Sequence, residues 1–189
     1  MKKLVIATIV FGAMSASALA VDAGTGKVHF SGSIITAPCS IAPGDENQEV
    51  PLGQISNTTL ESGGMSSAQP FAIKLEGCTL NAKYKGTNED GEEVELTYNN
   101  TVNVKFTGTE WVNSGNNTGL IQITGDGQGA GVKLMTVSGN KIDLNSSTTQ
   151  NFVAGDNSLR FQAALQGVSG AQVNPGKFEA TTNFVLSYN

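Results

Sequence analysis

The sequence predicts an all-β protein, an antiparallel sandwich of the immunoglobulin type, on three observations. Short runs in which apolar and polar residues alternate, the two-residue period of a half-buried strand, recur between turns rich in Gly, Asn, Ser and Thr. Charged residues make up only 14% of the chain, and no stretch sustains the apolar spacing of a long helix or coiled coil. The strand-like runs are short and follow one another closely, a spacing that suits two packed antiparallel sheets.

The N-terminus sets the compartment. Met1-Lys2-Lys3 is a positive head, Leu4 to Met14 an apolar stretch and Ala18-Leu19-Ala20 a small-x-small cleavage site, so residues 1–20 read as a secretory signal and the mature chain begins near Val21. The apolar stretch is too short for a membrane span, which takes about 20 residues. Removing Lys2 and Lys3 from 11 cations leaves 9 against 16 anions, a net charge near −7. An acidic chain without a basic stripe is a poor match for nucleic acid or anionic lipid. The remaining 169 residues (189 minus 20) suit one domain.

In an exported chain the two cysteines, Cys39 and Cys78, are expected to form one disulfide. A metal pair lacks further ligands, because His29 is the single histidine. No cofactor is expected.

The elements follow in order. "KVHFSGSIITAPC" (27–39) reads as a strand whose one-parity row is Val28, Phe30, Gly32 and Ile34. "NQEVPLGQI" (47–55) reads as a short strand, and "ISNTTLESGG" (55–64) as a helical turn capped by Asn57 and stopped by Gly63-Gly64. In "QPFAIKLEGC" (69–78), Phe71, Ile73 and Leu75 alternate with Ala72, Lys74 and Glu76. "KYKGTNEDGEE" (83–93) reads as a charged loop, and "VELTYNNTVNVKFTG" (94–108) changes parity at Asn99-Asn100, where a turn or bulge is expected. "GLIQITG" (119–125), "GVKLMTV" (131–137) and "NKIDLNS" (140–146) are further strands, the last two joined by a hairpin turn at Ser138-Gly139-Asn140.

"SLRFQAALQGV" (158–168) and "GKFEATTNFVLSYN" (176–189) close the chain. In the last run Phe178, Ala180, Thr182, Phe184, Leu186 and Tyr188 share a parity, and an aromatic at the penultimate residue implies that the very end is packed rather than frayed.

Little here points to catalysis. No nucleophile sits beside an identifiable base, and Glu92, Glu93 and Glu95 belong to a solvated charged run. The alternating glycines of "GDGQGAG" (125–131) lack the following helix that a dinucleotide loop requires. A competing class is a secreted carbohydrate-binding module, in which Trp111 would stack on a sugar beside the amides of Asn113, Asn116 and Asn117.

Three motifs in order carry a resemblance: "KVHFSGSIITAPC" after the signal, a second cysteine in "FAIKLEGC", and "PGKFEATTNFVLSYN" at the end, with Gly176 fourteenth from the C-terminus and Tyr188 penultimate. Together they resemble the structural subunits of chaperone-usher pili, and "GSIITAPCSIAPGDENQEVPLGQIS" (32–56) is most similar to the major subunits of P pili and mannose-resistant Proteus-like fimbriae. The acidic run Glu89 to Glu95 and "WVNSGNNTG" (111–119) match nothing in that family pattern.

The resemblance implies an incomplete immunoglobulin-like sandwich that lacks its final strand and is completed by donor-strand exchange. It implies a donor extension over 21–37 and a pilin domain over 38–189. The donor residues would be Val28, Phe30, Gly32 and Ile34, and the acceptor groove and chaperone contact would comprise Gly176, Phe178, Phe184, Leu186 and Tyr188. The implied partners are other copies and related subunits, a periplasmic chaperone, an outer-membrane usher and a tip adhesin, with the fimbrium as destination.

Overall fold

A computed structural model describes residues 25–189; the predicted signal, 1–20, and the start of the extension lie outside the described residues. The chain falls into two units, one ending at Ile34 and one running Ile35–Asn189.

In the first unit, residues 25–34 carry no secondary structure, so the run predicted as a strand forms none within its own chain. A strand exists only through a neighbour's hydrogen bonds, and among the described residues this run has no ladder partner. Its apolar row is left bare: Val28, Phe30 and Ile34 are 74%, 87% and 103% exposed.

The second unit contains β1 (Ser40–Ile41), helix α1 (Asn57–Leu60) followed by a 3-10 turn (Glu61–Gly63), β2 (Gln69–Cys78), β3 (Lys83–Thr87), β4 (Glu93–Thr97) and β5 (Thr101–Thr107). There follow β6 (Glu110–Asn113), β7 (Asn116–Gln122), β8 (Thr124–Gly125), β9 (Ala130–Thr136), β10 (Lys141–Ile142), β11 (Ser147–Asn151), β12 (Gly155–Gly167), β13 (Phe178–Glu179) and β14 (Asn183–Tyr188). One large antiparallel sheet has the order β1-β2-β12-β9-β7-β6, with β10 beside β9, and a small sheet has the order β11-β5-β14. Period-two alternation sends Val102, Val104 and Phe106 of β5 inward to meet Ile73, Leu75, Leu159 and Phe161 of the large sheet in one core. Phe106 and Phe161 touch edge to face with centroids 5.1 Å apart, which joins the two layers of an immunoglobulin-like sandwich.

The helical turn forms as expected, but Ser56 rather than Asn57 occupies the N-cap. Buried Leu60 of that turn lies over the end of β12, where Ala164 and Leu165 are also buried. The hairpin at Ser138-Gly139-Asn140 is closed by a bond from Thr136 N–H to Asn140 C=O at 2.8 Å. The parity change at Asn99-Asn100 is the break between β4 and β5.

Three expectations change. Residues 47–55 form no strand: Pro51 has no donor, Gly53 turns the chain at φ +78, and only Leu52 and Ile55 are retained against the core. The charged "loop" 83–93 is most of a hairpin, β3 on β4, in which Lys83 pairs with Glu95 and Lys85 with Glu93 across the strands. Its charges, Lys83, Lys85, Glu93 and Glu95, share one face of the hairpin, and Tyr84, Val94 and Leu96 share the other.

The terminal run is two strands. β13 pairs with β8 and β14 with β5, and residues 180–182 cross between the two pairings.

Candidate functional site

The small sheet ends in two edges of opposite character. β11 (Ser147–Asn151) is polar throughout, the character of an edge strand that faces solvent. At the other edge, β14 pairs with β5 from Asn183↔Thr107 to Tyr188↔Val102 and has no strand on its far side among the described residues. In an antiparallel ladder, every second residue of such an edge directs both N–H and C=O outward.

Beside this edge runs a groove of about 500 Å³. One wall is Phe184 to Tyr188, the other comprises Ile35, Thr36, Ala37, Cys39 and Ile41, and Tyr98 also lines it. Burial alternates along β14: Phe184, Leu186 and Tyr188 are half-buried against the core, whereas Asn183, Val185 and Ser187 are exposed. The inward row therefore has only part of its surface covered.

The second wall is held in place covalently. Cys39 and Cys78 form the predicted disulfide, and β1 beyond it pairs with β2 through Ser40↔Glu76 and Ile41↔Leu75. Thr79 N–H also donates to Pro38 C=O at 2.9 Å. The staple thus attaches residues 35–41 to the large sheet while β14 belongs to the small one, and the groove lies between them.

Aromatic rings gather at the C-terminal end of β14. Tyr188 meets Phe152 and Tyr98 edge to face, with centroids 5.9 and 6.2 Å apart. Burial pushes the Tyr188 phenol above its ordinary pKa. The carbonyl of Asn189 accepts the Asn99 N–H, so the chain end is tied down as the sequence implied.

Of the predicted acceptor residues, Phe184, Leu186 and Tyr188 come together on the groove. Gly176 and Phe178 do not: Phe178 pairs with Gly125, and Gly176 lies so close to the 126–127 backbone that a Cβ would stand 2.5 Å from Gly127 N. The demand for glycine at 176 is therefore a close backbone approach outside the groove lining. Residues Ile35 to Ile41 and Tyr98 were not anticipated as groove residues. The cysteine pairing was a signal for the first set, since it places them beside β2; for Tyr98 the sequence carries none.

Trp111 is half-buried against the core, and the Asn113 amide donates to Ser169 C=O at 3.0 Å. The Asn113 bond ties the β6–β7 hairpin to the segment after β12. After the glycine-rich run 125–131 the chain enters β9, so no phosphate-binding helix follows.

The profile of the fimbrial protein family matches residues 28–189. The Fimbria A protein of Serratia marcescens is 39% identical over 191 residues, covering 100% of this chain and 98% of that protein. The major MR/P fimbria protein of Proteus mirabilis (strain HI4320) is 42% identical over 176 residues, with 93% and 90% of the two chains covered. Among solved structures, the crystal structure of the P pilus rod subunit PapA superposes with a TM-score of 0.63 at 28% identity over 81% of this chain and 100% of that one. A chaperone-usher pilus structure that addresses rod uncoiling superposes with a TM-score of 0.72 at 31% identity over 89% and 98%. An unfinished sandwich with an open apolar edge and an unpaired apolar N-terminal run is thus matched along almost its whole length, and the chain belongs to the fimbrial protein family.

Proposed function

We propose that this protein is a shaft subunit of a chaperone-usher pilus that polymerises by strand donation and performs no chemistry. Residues 27–34 of one copy lie beside β14 of the next and complete its small sheet as a fourth strand, while Ile35 to Ala37 stay on the wall of their own groove. The observation that carries this reading is a complementarity within one chain: an edge strand with an apolar groove beside it, and an exposed run whose inward row is Val28, Phe30, Gly32 and Ile34. Burial of Val28, Phe30 and Ile34 contributes about 5 to 9 kcal/mol gross, before the entropy of ordering the strand is subtracted. That is comparable to the net stability of a whole domain.

Donation from one copy to the next is a heterologous contact that does not close on itself, so it generates an open fibre. On this reading residues 21–37 are the extension and 38–189 the pilin domain. A bare apolar edge in the periplasm would aggregate, which calls for a chaperone to lend a strand until an outer-membrane usher exchanges it. Phe184 and Tyr188 would meet both lenders in turn, and a tip adhesin would occupy the end of the fibre.

Surface fibres sheared from cells and run on a denaturing gel test the reading. Without boiling, a ladder of multimers is expected, collapsing to one band on strong heating. Monomer alone before heating, from cells that carry visible fibres of this subunit, would refute it.

A further inference from the structure

At the Tyr188 end of the groove one side chain reaches both walls. The Tyr98 ring lies edge-on to Tyr188, at an interplanar angle of 72°, and its hydroxyl reaches the Thr36 carbonyl oxygen at 3.4 Å. Tyr188 belongs to the β14 wall and Thr36 to the opposite one, so Tyr98 spans the groove from wall to wall. Tyr84 of β3 backs this bar, stacked on Tyr98 with centroids 4.2 Å apart and planes at 21°. The Tyr98 backbone is held as well, its N–H donating to Ala82 C=O at 2.9 Å. The β3–β4 hairpin, which extends from neither sheet of the sandwich, thereby supplies a groove component.

A donated strand faces a problem of register that alternation alone does not solve. A slide of one residue turns every inward side chain outward, so it is excluded. A slide of two residues keeps the row Gly26, Val28, Phe30, Gly32 and Ile34 facing inward and merely exchanges neighbours. Open groove at both ends would accept either frame. A fixed ring at one end does not, because a large inward side chain pushed one step further collides with it.

We propose that Tyr98 is an end stop that sets the register of the strand donated by the next copy, with Tyr84 as its support. The proposal rests on the strand-donation reading above. It assigns a role to the hairpin that carries the acidic run Glu89 to Glu95.

Cysteine cross-linking in fibres of the full chain tests it. Asn183, on the outward row of β14, is changed to cysteine together with one outward position of the extension in turn: Lys27, His29, Ser31 or Ser33. Directly opposed residues on paired strands have Cβ atoms close enough to bridge, whereas positions two residues away are about 7 to 8 Å distant. Boiled, non-reduced fibres are expected to show a covalent ladder for one of the four positions. Adding Tyr98→Ala is expected to give a second position, two residues from the first, at a yield within about threefold of it. Tyr84→Ala is expected to give the same second position more weakly. One unchanged position in both variants overturns the proposal; should Tyr98→Ala fail to assemble, one unchanged position in Tyr84→Ala does so alone. No cross-link at any position with Tyr98 and Tyr84 in place would instead refute strand donation beside β14.

Discussion

Phe184 stands opposite Phe106 in the β14–β5 ladder, yet Phe106 is 2% exposed and Phe184 is only half-buried. The two rings share one layer of the sandwich, and the difference between them is the missing neighbour beside β14. Phe106→Ala is therefore expected to cost the isolated subunit about 3 to 5 kcal/mol, as for a filled core site. Phe184→Ala should cost the subunit less and show most of its effect on the fibre. Urea unfolding of subunits beside heat dissociation of fibres separates the two; equal losses in the subunit would show that Phe184 is ordinary core.

Gly32 has no atom of its own chain within 4 Å of where a Cβ would stand, and its φ is not in the left-handed region. Gly32→Leu should leave the subunit's melting temperature unchanged. In the fibre the same leucine would meet the groove floor, where the donor backbone must approach closely. Electron microscopy of cells making only this variant is expected to show no fibres, and normal fibres would contradict it.

The disulfide holds a wall of the groove through a loop of sequence separation 39. Closing a loop of that length removes about 4 kcal/mol worth of freedom from the unfolded chain. Replacing both Cys39 and Cys78 with alanine should lower stability by that order. It should also weaken binding of a synthetic peptide of residues 27–36, because only the two residue pairs of β1 and a few further backbone bonds then hold residues 35–41. Fluorescence titration with labelled peptide measures the second effect, and unchanged affinity would show that the wall stands without its staple.

Tyr188 offers a pH signature. Its folded-state pKa is raised above the ordinary 10.0 by burial, so the folded protein holds the phenolic proton more tightly than the unfolded chain does. Its contribution is full below the unfolded pKa and is lost as pH rises through the folded one, so the loss falls above about pH 10. Tyr188→Phe should flatten this alkaline decline, measured as melting temperature against pH. Peptide in the groove buries the ring further and should move the wild-type decline to still higher pH.

Much of the fold was legible because its causes are local. Alternation in 69–78 and 101–107 marks strands with one wet face, and both form with Ile73, Leu75, Val102, Val104 and Phe106 buried. The hairpin at Gly139 follows from turn chemistry. Where the reading failed, composition was a poor guide to pairing. Residues 47–55 have strand-like composition but no ladder to join, and 83–93 pairs strand to strand despite a composition that reads as a solvated loop.

The candidate site divides in the same way. The extension, the cysteine pair and the row Phe184, Leu186 and Tyr188 could be named from residues in order along the chain. Tertiary structure alone decided that Phe178 joins the β8–β13 pairing, that Gly176 lies against the 126–127 backbone, and that Ile35, Thr36, Ala37, Cys39, Ile41 and Tyr98 line the groove. A row of side chains on one strand is set by the two-residue period of its own backbone. A wall built from two sheets, and a ring carried to its end by a hairpin, depend on how separate segments pack, and no local period encodes that.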